Sequence, residues 1–235
     1  MDFGTEFKPQ IIEPQKIQDR SFEIIAEELG EHAFTPAQFK VVQRVIHASA
    51  DFELGRSLVF HELAVDSGIA AIRSGRTIVA DVQMVQAGIS KPRIEKYGGD
   101  VKVYISDADV MEEAKRLGIT RAIAAIRKAA KDAPDGIYVV GNAPTALLEV
   151  IRLVKAGELQ PSLVIGVPVG FVSAAESKAE LEKLDIPFIA NRGRKGGSPA
   201  AVAAVNALAI LADLPYLENP SGPAAASHPA RPQNA

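Results

Sequence analysis

The chain has 235 residues, 47% hydrophobic and 23% charged, the balance of a globular protein long enough to bury a sizeable core. A net charge of −3 argues against general nucleic-acid binding, and 6% aromatic residues with no Trp leave little for stacking on bases or sugars. The absence of cysteine excludes disulfides, thiolate metal sites, iron–sulfur clusters and a cysteine nucleophile, and it fits a reducing cytoplasm.

No apolar run approaches the roughly 20 residues of a membrane span, and no basic region followed by an apolar stretch opens the chain, so neither a membrane nor a secretion signal is expected. Residues 1–8 read as a cloning remnant. Residues 215–235, rich in Pro, Ala, Ser and Asn, read as a mobile tail. Residues 9–214 contain no internal repeat or linker and read as one domain.

The first third is helical by pattern. Ile17, Ile24, Ile25 and Leu29 share one helix face. Thr35-Pro36-Ala37-Gln38 is a helix start with a capping box, and Phe39, Val42, Val45 and Ile46 face the core of a helix ending near His47. A third helix is expected from about Gly55 to Arg73. The rhythm then changes to short β-branched runs: Thr77–Asp81, Val101–Ile105, Ile137–Gly141, Leu163–Gly166 and Ile186–Ala190. Helical segments separate most of them. Ser173-Ala-Ala-Glu176 reads as a further capping box, and Ser198-Pro199 opens an Ala- and Val-rich helix buried on most faces. The alternation predicts a three-layer α/β/α fold with a mainly parallel sheet and a helical N-terminal region.

Ligands of such sheets bind beyond the carboxyl ends of the strands. The residues expected there are Asp81 with Val82-Gln83-Met84, Asp107, Asn142–Thr145, Gly166–Gly170 and Asn191–Gly197. Polar and glycine-rich turns ahead of helices favour anions through unpaired N–H groups, and Arg192, Arg194 and Lys195 add positive charge. An anionic small molecule, bearing carboxylates or phosphates, is the expected ligand. The plainer readings are that Asn142 and Ser173 cap helices, that Asp51 caps the next turn, and that the basic loop is simply solvated.

Named chemistries are mostly absent. There is no Gly-x-Gly-x-x-Gly after a strand, no Walker loop and no Gly-x-Ser-x-Gly elbow. His32, His47, His61 and His228 have no metal-ligand spacing, so neither a catalytic metal nor a cofactor is expected. His47, at the end of an apolar helix, suits acid–base work because imidazole titrates near neutral pH. Its position alone favours the plainer reading of a dipole partner or a satisfied core residue.

Five segments in order resemble the precorrin-8X methylmutase family and its cobalt-precorrin-8 counterpart. They are Arg20-Ser21-Phe22, Val45–Phe52 around His47, Gly141–Leu147, Gly166–Val172 and Asn191–Ser198. The resemblance covers about residues 10–213. It implies a methyl shift from C-11 to C-12 of a corrinoid ring in vitamin B12 biosynthesis, with His47 as the acid and no cofactor. It also implies a homodimer with sites at or near the subunit interface. A macrocycle fringed with carboxylates suits the basic turns at its rim and Val, Met and Phe at its faces. The candidate contacts are Arg20, Ser21, Arg44, Arg121 and Arg192 for carboxylates, with Asp81, Met84, Asn142, Thr145, Val167, Pro168, Val169, Gly170, Phe171, Asn191 and Gly193 from the strand ends. Ser49 stands where the family has Thr, keeping the hydroxyl, and Val82 stands where it has Thr, losing one. A non-catalytic tetrapyrrole or carboxylate carrier would need the turns and not His47. A nucleotide-dependent enzyme is disfavoured by the missing phosphate fingerprint.

Overall fold

The computed structural model describes residues 10–215, so the readings of residues 1–8 and of the tail beyond 215 lie outside the described residues. Helix α1 (Pro14–Leu29) starts on a proline and buries Ile25 and Leu29. Helix α2 (Pro36–Ser49) opens with the expected capping box: Thr35 Oγ1 accepts from the Gln38 N–H at 3.2 Å, and Gln38 Oε1 accepts from the Thr35 N–H at 3.0 Å. Such a cap contributes about 1 kcal/mol. The helix runs through His47 and ends at Ala50, whose φ of 52° is left-handed.

The helix expected from Gly55 to Arg73 is in fact three elements: α3 (Phe52–Arg56), β1 (Leu58–Phe60) and α4 (Ala64–Arg73). Gly55 sits so close to Ile46 that a Cβ would meet its side chain at 2.4 Å, which seats the short helix against α2. Leu58-Val59-Phe60 then pairs antiparallel with the last strand. An apolar run of this length fits strand and helix alike until a pairing partner is known.

The chain continues through β2 (Ile78–Ala80), α5 (Gln83–Gly88), α6 (Lys91–Glu95), β3 (Val101–Lys102), α7 (Ala108–Leu117), α8 (Arg121–Asp132), β4 (Ile137–Val140), α9 (Pro144–Lys155), β5 (Leu163–Gly166), α10 (Ala174–Leu181), β6 (Phe188–Asn191) and α11 (Ser198–Ala212). The strand order is β1-β6-β5-β4-β2-β3, and every pairing except β1 with β6 is parallel. Ser173 is left-handed at φ 62° and makes no side-chain cap, contrary to the capping box read there; a capping side chain needs extended backbone.

Side chains alternate strictly across the sheet. Ile78, Ala80, Ile137, Val139, Leu163, Ile165 and Ile189 join one core with α2, α4 and α11. Val79, Tyr138, Val140, Val164, Phe188 and Ala190 join the other with α7, α8, α9 and α10. This period of two, filled on both faces, makes the three layers. Helix α11 is alanine-rich and packs against α2 and α4, small side chains allowing close approach.

Candidate active site

The strand order turns between β2 and β4: the chain leaves β2 for β3 on one side and returns to β4 on the other. The carboxyl ends of that pair mark the switch point of the sheet. Asp81 leaves β2 there and is buried. Its Oδ1 accepts from the Gly141 N–H at 3.1 Å, and its Oδ2 from Asn142 and Ala143 at 2.8 and 2.9 Å. These are the donors that the start of α9 offers to an anion, and the fold's own carboxylate takes them. Burial pushes the Asp81 carboxyl above its usual range, against the pull of the three donors.

The exits of β5 and β6 are one unit. The Gly170 N–H donates to the Arg194 carbonyl at 3.1 Å, and the Gly197 N–H to the Val167 carbonyl at 2.8 Å. Gly196 has φ 147°, and a Cβ there would stand 2.2 Å from the Val167 carbonyl oxygen, so the close approach of the two loops requires glycine. Phe171 projects into solvent at 87% exposure, with the Arg194 guanidinium 5.5 Å over its ring. Lys195 Nζ reaches Asp51 at 2.7 Å and Glu53 at 2.8 Å, tying this unit to the turn after α2. Asp51 also accepts from the Leu54 N–H at 2.9 Å and caps α3.

His47 lies in the last turn of α2. Arg44, His47 and Ala48 face Pro199, Val202, Ala203 and Asn206 of α11 across an open depression of about 280 Å³. The spacings are those of two facing helical stripes. Phe22 of α1 stands edge-on to the imidazole, centroids 5.3 Å apart at 75°, and the Arg44 guanidinium lies 5.2 Å over the same ring. His47 is exposed and Arg44 is half-buried. Burial, helped by Arg93, lowers the Arg44 pKa, and no carboxylate among the described residues offsets it. A guanidinium stays charged regardless, so its spare donors favour an entering anion. The depression therefore combines a proton donor or acceptor, an unpaired cation and an apolar stripe.

The family model described as precorrin-8X methylmutase matches residues 16–211, a span that includes α2, the loops after β5 and β6, and all but the last residue of α11. The chain belongs to this family. A cobalt-precorrin-8 methylmutase of Priestia megaterium is 68% identical over 213 residues, covering 91% of this chain and 95% of that protein. A precorrin-8X methylmutase of Sinorhizobium sp is 35% identical over 195 residues, covering 82% and 92%. The crystal structure of a precorrin-8x methyl mutase from Thermus thermophilus superposes with a TM-score of 0.79 at 41% identity, covering 84% and 96%. Methylmutases are isomerases: one group moves within one molecule.

On the methylmutase fold the expected contacts fall into groups. Arg44 and His47 share the depression. Val167, Pro168, Val169, Gly170 and Phe171 lie with Asn191, Arg192 and Gly193 in the β5–β6 unit, where Val167, Pro168 and Asn191 are buried and Arg192 pairs with Glu182 at 3.1 Å. Met84 and Asn142 are exposed after β2 and β4, and the Asn142 side chain does not cap α9. Thr145 Oγ1 meets Thr120 Oγ1 at 3.2 Å, clasping the starts of α8 and α9 and setting Arg121 on the other helical layer. Arg20 pairs with Glu23 and Glu27, and the Ser21 hydroxyl donates to the Ile17 carbonyl at 2.7 Å; both are engaged within α1, and neither lines the depression.

Sequence reading missed Phe22 as a partner of His47, and the α11 stripe of Pro199, Val202 and Asn206. Their spacing of three and four along an otherwise apolar helix is the signal that would have exposed them. A larger depression of about 610 Å³, lined by Glu113, Arg127, Lys131, Arg152 and Glu158, lies toward the last turns of α8 and α9, away from the strand carboxyl ends. Among the described residues no three His, Asp or Glu side chains group as metal ligands, and no helix is long and apolar enough to cross a membrane.

Proposed function

We propose that the chain moves a methyl group from C-11 to C-12 of precorrin-8X or its cobalt counterpart, with His47 as the general acid, giving hydrogenobyrinic or cobyrinic acid. The observation that carries this reading is the pairing of His47 with the unpaired Arg44 on one open, partly apolar wall. The imidazolium lends a proton to a ring nitrogen beside the migrating centre. That draws electrons toward the nitrogen, the bond from C-11 to the methyl breaks as the bond to C-12 forms, and the proton then returns. Atoms and electrons balance within one molecule, and Arg44 holds a rim carboxylate to fix the ring's orientation. The 68% identity to a protein named cobalt-precorrin-8 methylmutase supports the cobalt-containing substrate.

We further propose one domain, acting as a homodimer in the cytoplasm. The test of the reaction uses substrate carrying ¹³C in the C-11 methyl. Enzyme turnover should move the label to C-12 without exchange between molecules. Release of the label, or no change in either the metal-free or the cobalt substrate, contradicts the proposal.

A further inference from the structure

Lys178 is the one fully buried lysine among the described residues. It stands on α10, and its Nζ donates to Asn191 Oδ1 at 3.1 Å and to the Lys195 carbonyl at 2.7 Å. Asn191, equally buried, donates from Nδ2 to the same Lys195 carbonyl at 2.8 Å and to the Arg192 carbonyl at 3.2 Å. The three groups knot the segment from Arg192 to Lys195 back onto the end of β6. That segment carries three cations. Arg192 is held by Glu182, Lys195 by Asp51 and Glu53, and Arg194 lies over Phe171.

The ammonium itself has no carboxylate partner among the described residues, and burial pulls its pKa down to about 8. An unpaired buried cation opposes folding, and an apolar side chain of similar length would serve packing better. Its presence points to something that stability does not explain. Neutral donors would close the loop; a charge adds attraction for an anion arriving above it, and low dielectric extends that attraction over the intervening loop.

We infer that Lys178 is a positioning residue for anion recognition: its charge and hydrogen bonds hold the Arg192–Lys195 loop in the shape that receives carboxylates of the macrocycle, whose charge supplies the counter-ion absent from the fold. This rests on the methylmutase reading of the ligand.

The full chain, Lys178→Met and Lys178→Gln are titrated with hydrogenobyrinic acid, with its cobalt counterpart, and with the same rings after conversion of their carboxylates to amides. The visible spectrum reports binding. Both neutral variants should bind the carboxylate ligands at least tenfold more weakly, raise KM by a similar factor and leave kcat within threefold. The affinity difference should fall below threefold for the amidated rings. Variants that bind within twofold of the parent overturn the inference. So does an equal loss for charged and amidated ligands, or failure of both variants to fold, since either makes Lys178 a packing residue only. A parent chain that binds none of the carboxylate ligands takes down the methylmutase reading itself, and this inference with it.

Discussion

At the residue scale the proposed site rests on two side chains in different surroundings. His47 is exposed at a helix end, while Arg44 is half-buried, charged and without a carboxylate partner among the described residues. A charge-assisted contact from such a guanidinium contributes about 2 kcal/mol to binding, so Arg44→Met, which keeps the apolar stem over Phe22, should raise KM roughly 10- to 100-fold and leave kcat within threefold. Steady-state kinetics decide it; an unchanged KM places the carboxylate elsewhere. His47 was legible as a candidate from its chemistry, and the resemblance gave it its role. Arg44 was legible only as a charge near His47, because the absence of a partner is a three-dimensional fact. Lys178 was illegible for the same reason: a lysine five residues after a Gly-Phe-Val-Ser turn region says nothing of burial until α10 is docked.

At the element scale, the loops at the strand carboxyl ends are fixed from below by the fold. Asp81 caps three N–H groups at the start of α9 from a neighbouring strand. Asp81→Ala strands all three and should cost about 3 kcal/mol, read as a lower urea midpoint at unchanged slope. A loss below about 1 kcal/mol means that water replaces the carboxylate. The parallel strands and α2 could be read from the chain because their signals are local: β-branched runs, a capping box, a proline at the first turn. The division of residues 55–73 could not, since β1 exists through its pairing with β6, whose partners lie more than a hundred residues away. The left-handed Ser173 escaped likewise, because a Ser-x-x-Glu pattern does not reveal the backbone angle on which a cap depends.

At the scale of the whole molecule, the depression of about 280 Å³ is open and sits below the lower end of ordinary small-molecule pockets. A depression of that size would cover only part of the proposed macrocycle. Arg20 and Arg121 lie outside the depression, and Phe171 and Val172 stand exposed at 87% and 82% in the loop after β5. A second copy would cover such side chains and close the ligand in. Light scattering at micromolar concentration should therefore give about twice the 25.0 kDa of one chain. A single-chain mass with full turnover contradicts the shared site.

The most direct test of the acid role is a single-turnover comparison of the parent and His47→Ala on precorrin-8X and its cobalt form, with product binding measured in parallel. The variant should bind the product within a few-fold of the parent and convert substrate at least about 100-fold more slowly, the scale of a lost general acid. A variant that binds and still turns over at the parent rate contradicts the role of His47 and leaves the depression as a binding wall alone.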